Sequence, residues 1–166
     1  METPRLMETL APFRPYQQDF RWQGVPSMPY KDDGTAPFKD ISRQNLFDDP
    51  ALACQLRYFE MAADGYSTLE RHEHAHAVMI LRGTGECLLG TEVRAVKQFD
   101  LVHIPAWTWH QFRATGGVPM GFLCMVNQDR DRPQLPGPSE VAALRAHPAL
   151  AAFLQATGLR EEIPAK

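Results

Sequence analysis

The chain has 166 residues, of which 44% are hydrophobic and 22% charged, and its formal net charge is −3 at pH 7. This predicts one compact domain with extensions, and the lack of a dense Lys/Arg block argues against nucleic acid as a partner, since cations clustered on phosphates carry that binding. No apolar stretch approaches the roughly 18–20 residues that span a bilayer, and the N-terminus lacks a signal-peptide core, so we expect a cytoplasmic protein with no membrane partner.

Residues 1–48 are rich in Pro, Asp and aromatic residues and show no long hydrophobic period, so we predict an N-terminal arm. Five of its aromatic side chains are suited to burial: Phe20, Trp22, Tyr30, Phe38 and Phe47. Their number favours packing on the core or on a neighbouring subunit over disorder. An arm of this length exceeds what a small barrel needs, and we therefore expect a homodimer.

Residues 49–130 read as short strands separated by turn signals such as Asp64-Gly65 and Gly116-Gly117. Regular spacing of such strands without helical patterns between them predicts an all-β antiparallel sandwich or barrel. Cys54, Cys87 and Cys124 each fall within an apolar, strand-like run. This placement favours reduced core thiols over a disulfide framework.

Residues 131–166 are predicted to form a linker followed by two short helices. The helices begin near Ser139 and at Pro148, and Gly158 ends the second. Their apolar residues form a stripe: Val141, Leu144, Leu150, Phe153 and Leu154. We interpret this stripe as a face that packs on the barrel.

Histidines and a glutamate occupy alternate positions in residues 70–76. Glu70, His72, His74 and His76 would share one face of a strand, and His110 follows 34 residues after the run. Such a group of imidazoles predicts a metal site. Residues 70 and 76 would lie about 20 Å apart on a straight strand, whereas ligand bonds are about 2 Å, so the chain must turn within the run.

These residues resemble the two motifs of a single-domain cupin. Gly65 and Gly83 bracket the histidine run as glycines bracket the first cupin motif. Pro105 and His110 match the second motif, although Phe99, Trp107 and Ala114 stand where that motif has Gly, Gly and Asn. The resemblance covers residues 50–127, and it implies a jelly-roll barrel, also called an antiparallel double-stranded β-helix.

The resemblance admits two alignments of the histidine run. Counted from Gly83, the ligands would be Glu70, His72, His76 and His110. Counted from Gly85, they would be His72, His74 and His110, with Val78 at the carboxylate position. We favour the first alignment because every ligand position then holds a residue that can bind a metal, and His72 and His110 are ligands in both.

The expected cofactor is one divalent transition metal, Fe, Mn, Ni, Cu or Zn, because neutral imidazole suits Fe, Ni, Cu and Zn and an added carboxylate favours Fe, Mn or Ni. The run contains no cysteine, which argues against a closed structural zinc site. Trp107, Trp109 and Phe112 surround His110 in sequence and suggest an apolar pocket, with core packing as the alternative for the tryptophans. Gln55, Arg57 and Tyr58, on the strand predicted to precede the run, are further candidates for the cavity lining.

The cupin resemblance implies a metal-dependent protein acting on a small molecule, with chemistry of the dioxygenase kind. A metal-dependent isomerase or hydrolase, and a non-catalytic binder of metal or small ligand, are the alternatives, because one fold hosts many functions. The sequence names no substrate.

Overall fold

The computed structural model describes residues 11–31 and 37–159. Its strands are β1 (Met28–Pro29), β2 (Lys39–Asp49), β3 (Cys54–Tyr66), β4 (His76–Arg82), β5 (Thr84–Leu89), β6 (Glu92–Lys97), β7 (Leu101–Ile104), β8 (His110–Ala114) and β9 (Met120–Asn127). A turn of 3-10 helix lies at Pro50–Leu52, and the α-helices are α1 (Pro138–Arg145) and α2 (Pro148–Ala156). No helix within these described ranges is both long and apolar enough to cross a membrane.

The strands form one curled antiparallel sheet, which confirms the predicted fold class. Hydrogen bonding joins them in the order β6-β5-β8-β3-β9-β4-β7, with β2 also paired to β3 and β1 to β2. The long strand β3 lies at the centre, because it pairs with β2 and β9 along its length and with β8 near Tyr66. Strands that alternate buried and exposed residues curl in this way to enclose a core on one face.

The core lies inside the curl and is built from alternate residues of facing strands. Phe59 and Met61 of β3, Ile80 of β4, Phe112 of β8 and Phe122 of β9 belong to this cluster. Cys87 and Cys124 are buried free thiols in it, as predicted, whereas Cys54 at the start of β3 is only half-buried.

The sheet begins earlier in the chain than predicted, because residues 39–48 of the expected arm belong to β2, which pairs with β3. The sequence hid this strand for two reasons. Register shifts on either side of residues 41–45 interrupt its alternation, and one of its buried residues is the polar Gln44. Residues 1–10 and 32–36 of the arm, and 160–166 of the tail, lie outside the described residues.

The described part of the arm packs on the outer face of β3. Phe20 stacks on Tyr58 with ring centroids 5.6 Å apart, and Trp22 meets the same ring edge-on at 5.5 Å. The Gln44 amide donates a hydrogen bond of 2.8 Å to the Phe20 carbonyl. Together these contacts hold the chain that leads to Lys31 against the barrel.

The two helices pack on the barrel through the predicted stripe. Leu144, Leu150, Phe153 and Leu154 are buried together with Leu69 and Leu88 of the barrel. Both helices begin with Pro, a residue whose fixed φ suits a first helical turn. The helices therefore cover one side of the sheet and leave the histidine run accessible from the mouth of the curl.

Candidate metal centre

The histidine run turns as its spacing requires. Glu70 forms an isolated antiparallel bridge with His110, the chain bends at Glu73 and His74, and β4 begins at His76. The bridge has two backbone hydrogen bonds, of 3.0 and 3.2 Å. This pairing places the two ends of the run and the distal histidine around one point.

Three imidazoles converge there. His72, His76 and His110 each offer a ligand atom, and these atoms lie within 4.8 Å of one another. The ring centroid of His72 is 4.6 Å from that of His76 and 4.8 Å from that of His110. His72 and His110 are buried and His76 is half-buried, so the group lies inside the barrel mouth. We call these residues the histidine triad.

Each ring of the triad is oriented through its Nδ1 atom. The Nδ1 of His72 donates to the carbonyl of His74 at 2.7 Å, and that of His110 donates to the carbonyl of Thr108 at 2.9 Å. The Nδ1 of His76 lies 3.2 Å from the Sγ of Cys124. A carbonyl only accepts, so His72 and His110 carry their proton on Nδ1 and present an Nε2 lone pair.

The Nε2 nitrogens of the triad fit the role of metal ligands. Among the described residues, the buried Nε2 atoms of His72 and His76 have no hydrogen-bond partner. Buried polar atoms are normally satisfied, so a pair of unpartnered ring nitrogens indicates a ligand. Burial, reinforced by His110 and His74, lowers the pKa of His72 to about 4. Burial also lowers the pKa of His76 and of His110, which keeps all three rings neutral and able to bind a metal.

Glu70 lies beside the triad but is already paired. Its Oε2 accepts from the Nζ of Lys31 at 2.5 Å, and only 8% of its side chain is exposed. Lys31 comes from the arm, so a residue far from either motif reaches the cavity. Lys31 holds one carboxylate oxygen of Glu70 and leaves Oε1 as the atom that could serve as a further ligand.

His74 belongs to a second group of potential ligands. It stacks on His72 with centroids 3.6 Å apart, and its Nδ1 lies 2.6 Å from the Oδ1 of Asp131. The same carboxylate accepts from the backbone N–H groups of Glu73 and His74, at 2.8 and 3.1 Å. His72, His74 and Asp131 offer ligand atoms within 4.8 Å of one another, but in the described residues His74 is not grouped with His110.

A cavity of about 190 Å³ opens in front of the triad. Its lining combines aromatic and charged side chains: Tyr30, Lys31, Arg43, Arg57, Phe59, Ser67, Thr68, Glu70, His72, His74, His76, His110, Phe112, Phe122, Cys124, Arg130, Asp131 and Pro133. All five predicted ligands are present, together with Arg57 and Phe112. Aromatic and charged side chains share the lining, so the cavity is mixed rather than the apolar pocket expected from the sequence.

Four residues expected in the lining lie elsewhere. Trp107 is 48% exposed on the turn before β8. Trp109 packs with the helix-facing cluster, where the Arg71 guanidinium lies 4.5 Å from its ring centroid. Tyr58 points to the arm, because it alternates with the inward residues Arg57 and Phe59 along β3.

The fourth residue, Gln55, is not part of the lining, and its Oε1 accepts a 2.9 Å hydrogen bond from Arg130, which is. The sequence reasoning missed Arg43, Arg130, Lys31 and Asp131. Lys31 and Arg43 lie in the segment assigned to the arm, and Arg130 and Asp131 at the boundary of the linker. None carries a motif that could have marked it.

Comparison with known proteins agrees with this geometry. The model of the Cupin domain family matches residues 57–126. A 1-methylthio-D-xylulose 5-phosphate methylsulfurylase from Rhodospirillum rubrum is 55% identical over 143 residues, covering 86% of this chain and 92% of that protein. A 5-nitrosalicylic acid 1,2-dioxygenase from Bradyrhizobium sp. is 43% identical over 49 residues, 30% of this chain and 24% of that protein.

Among solved structures, a cupin 2 conserved barrel domain protein from Rhodopseudomonas palustris is 57% identical and superposes with a TM-score of 0.81. The match covers 85% of this chain and 97% of that one. The match of the family model, the extent of these similarities and the curled sheet with its histidine triad together establish that the chain belongs to the cupin family.

Proposed function

We propose that this protein is a metal-dependent cupin enzyme that removes the methylthio group of 1-methylthio-D-xylulose 5-phosphate. The observation that carries the proposal is the buried histidine triad, facing a cavity rich in cations, in a chain 55% identical to the Rhodospirillum rubrum methylsulfurylase. The alignment covers 92% of that relative, so the match is not confined to the barrel motifs. This extent supports a shared substrate class.

The triad suits a divalent transition metal, and His72, His76 and His110 would hold it through Nε2. Glu70 is the candidate for a fourth position, through the carboxylate oxygen that Lys31 does not contact. Three imidazoles with an optional carboxylate fit Fe, Mn, Ni, Cu or Zn. A metal bound there would supply Lewis-acid polarisation of a substrate oxygen.

The substrate's chemistry is consistent with such a site. The methylthio group is carried on C1, next to the C2 ketone, so the electron pair of the broken C1–S bond can be delocalised into that carbonyl. The sulfur of a thiol acceptor attacks the sulfur of the CH3S group, so that an S–S bond forms as the C1–S bond breaks. The acceptor becomes a mixed disulfide and loses its thiol proton, and C1 gains one proton. Phe59, Phe112 and Phe122 line the cavity and limit the access of water to the reacting carbons.

The proposal is tested by incubating the purified protein with 1-methylthio-D-xylulose 5-phosphate and a small thiol. Proton NMR should show loss of the S-methyl signal of the substrate and a new C1 methyl signal. His110→Ala should abolish turnover, and His103→Ala, which alters an exposed histidine on β7, should leave it unchanged. An unchanged substrate at stoichiometric protein, with metal bound, would reject the proposal and favour a binding module.

A second candidate is a dioxygenase, as the cupin resemblance first suggested. The match to the 5-nitrosalicylic acid 1,2-dioxygenase supports it, although it spans only 30% of this chain. The cations of the cavity would suit an aromatic carboxylate as well. Oxygen uptake by the Fe(II) form in the presence of salicylates or catechols, absent in His110→Ala, would favour this function over the first.

The homodimer expected from the arm is also a proposal. Strand β7 lies at one end of the sheet order, and Leu101 on it is 74% exposed beside Met79 of β4, which is 37% exposed. An apolar edge of this kind favours pairing with a second copy. Light scattering should give the mass of a dimer at micromolar concentration, and a monomer mass would contradict it.

A further inference from the structure

The charged residues of the cavity are not balanced. Its two carboxylates already have partners, since Glu70 pairs with Lys31 and Asp131 with His74. Three further cations line the same cavity: Arg43, Arg57 and Arg130. None of the three forms an ion pair with a carboxylate within the described residues 11–31 and 37–159. We call them the arginine cluster.

Arg57 is the most deeply placed of the three. It is 8% exposed, and its buried Nε has no hydrogen-bond partner among the described residues. Its guanidinium lies 5.0 Å from the ring centroid of Phe59, and its Nη2 donates to the Sγ of Cys124 at 3.5 Å. A buried cation without a carboxylate is costly, so a residue kept in this state indicates an anionic ligand.

Arg43 reaches the same space from the neighbouring strand. In the register of β2 with β3, Asn45 lies opposite Arg57 and Arg43 opposite Phe59. Arg43 is therefore the diagonal neighbour of Arg57 on the inner face of the sheet, about 7–8 Å away at the backbone. Its buried Nε also lacks a partner among the described residues. The two adjacent guanidinium groups thus each have an Nε–H donor that is free to bind a ligand.

Arg130 completes the cluster from the loop after β9. Its Nη1 donates to the carbonyl of Asn127 at 2.8 Å and to the Oε1 of Gln55 at 2.9 Å, which fixes the position of its guanidinium group. Burial, with added repulsion from Arg57 and Arg43, lowers the pKa of Arg130. The three cations are thus close enough to repel one another, a repulsion that a bound anion would relieve.

We propose that Arg43, Arg57 and Arg130 form a subsite for the phosphate group of the substrate. Guanidinium groups bind phosphate oxygens through paired hydrogen bonds, and the cluster carries enough positive charge to neutralise a phosphate dianion. The subsite adjoins the histidine triad, because Cys124 touches both Arg57 and the Nδ1 of His76. A ketose phosphate would then have its phosphate at the arginines and its reacting end toward the triad.

This inference rests on the proposed function for the identity of the phosphate ester, and it makes a separate claim about specificity. The subsite selects phosphorylated over unphosphorylated sugars, since a charged group compensates the buried guanidinium of Arg57 and its half-buried neighbour Arg43. The class of ligand is a small phosphomonoester. A small ligand is expected because the cavity volume, about 190 Å³, is below the usual range of roughly 300–1,000 Å³ for ligand pockets.

The test is calorimetric titration of the purified full-length protein with inorganic phosphate. Saturable binding is expected, and Arg43→Gln and Arg57→Gln should each weaken it by about tenfold or more, as expected for the loss of a charge-assisted pair. Arg94→Gln is the matched control, because Arg94 pairs with Glu92 on the exposed strand β6 and lies outside this cavity. The control should bind phosphate like the natural protein.

Two further measurements keep the result specific. Metal content is determined for every variant, and it should be unchanged in Arg43→Gln and Arg57→Gln. If Arg57→Gln does not fold, Arg57→Lys replaces it, since that change keeps the charge but removes the paired donors and should still weaken binding. No saturable phosphate binding, or equal affinity in the Arg43 and Arg57 variants and the control, would overturn the subsite.

The same variants separate the subsite from the proposed reaction. Arginine-dependent phosphate binding with no conversion of 1-methylthio-D-xylulose 5-phosphate would leave the subsite standing and reject the reaction. Conversion of the substrate with an unchanged KM in both arginine variants would leave the reaction standing and reject the subsite. If the subsite and the reaction are both correct, the KM of the Arg43 and Arg57 variants should rise while their metal content stays constant.

Discussion

The two sides of the cavity satisfy buried polar groups in different ways. On the histidine side, burial keeps the triad rings neutral, and the Nε2 atoms of His72 and His76 have no hydrogen-bond partner among the described residues. On the arginine side, the groups are cationic, and the Nε donors of Arg43 and Arg57 have no partner among the described residues. The first side therefore attracts a cation and the second an anion. A single ligand that bears a phosphate and binds a metal would satisfy both.

The largest expected effect is on the histidine side. His72→Ala and His110→Ala should each reduce metal content from close to one ion per chain to near zero, because each removes one of three converging imidazoles. Elemental analysis of protein purified without chelator or affinity tag measures this. His103→Ala, on the outer face of β7, is the control. Full metal content in both triad variants would remove the basis for the metal centre.

A smaller effect should separate the two alignments of the histidine run. His76→Ala and Glu70→Ala should lower metal affinity, with His76→Ala the larger because it belongs to the triad. His74→Ala should keep the metal, since His72 is held by the backbone carbonyl of residue 74, which the substitution leaves in place. Competition with a metal-binding dye gives the affinities. Loss of metal in His74→Ala but not in His76→Ala would support the alternative ligand set.

The contrast between the sides also explains what the sequence could predict. The histidines are close in the chain, and their alternate spacing with His110 was enough to place them on one site. The arginines come from β2, β3 and the loop after β9, and only the pairing of distant strands brings them together. Long-range pairing of a strand such as β2, which lacks clear alternation, leaves no local signal.

The errors about the pocket lining have a local cause. His110 and Phe112 alternate on β8 and face the cavity, so Trp109 must face the other way. The same rule places Tyr58 opposite to Arg57. The alternation that groups the histidines on one face therefore also places Trp109 and Tyr58 on the other. Closeness in sequence to a ligand is a weaker guide than the face of the strand.

The neutral state of the triad predicts how the metal-free protein responds to acid. Folding lowers the pKa of His72 to about 4, whereas an unfolded histidine titrates near 6.5. Below about pH 6.5 the unfolded chain therefore binds more protons, and stability is lost as the pH falls. For His72 the loss between pH 6.5 and pH 5 is about 2 kcal/mol at most.

Urea unfolding of chelator-treated protein at these two pH values measures the effect. In His72→Ala the difference between the two pH values should shrink, because the substituted chain has one fewer group that must stay neutral to fold. His103→Ala should show the same pH dependence as the natural chain. Identical pH dependence in the natural chain and in His72→Ala would mean that the ring is not held neutral by burial.

The smallest expected effect concerns two turns that belong to neither side of the cavity, the one before β7 and the one before β8. Trp107 has φ +60° and Phe99 has φ +71°, so both adopt the left-handed conformation that glycine adopts without strain. These are the positions where the second cupin motif has glycine. Both side chains are largely exposed, at 48% and 65%.

The strained turn at Trp107 is kept because it serves the site. The backbone N–H of Trp107 donates a 2.7 Å hydrogen bond to the carbonyl of His72, which ties the turn to the triad. Glycine at this position can make the same bond. It would remove about 1–2 kcal/mol of left-handed strain and add about 0.5–1 kcal/mol of unfolded-state entropy, while the loss of the indole removes its remaining contacts.

Trp107→Gly should therefore change the free energy of unfolding by no more than about 1 kcal/mol, and Phe99→Gly should behave alike. Metal content and phosphate affinity should be unchanged, because the Trp107 side chain lies outside the cavity lining. Denaturant unfolding and the two binding assays check this. Weaker phosphate binding in Trp107→Gly alone would show that the indole reaches the ligand, and would restore it as a wall of the pocket.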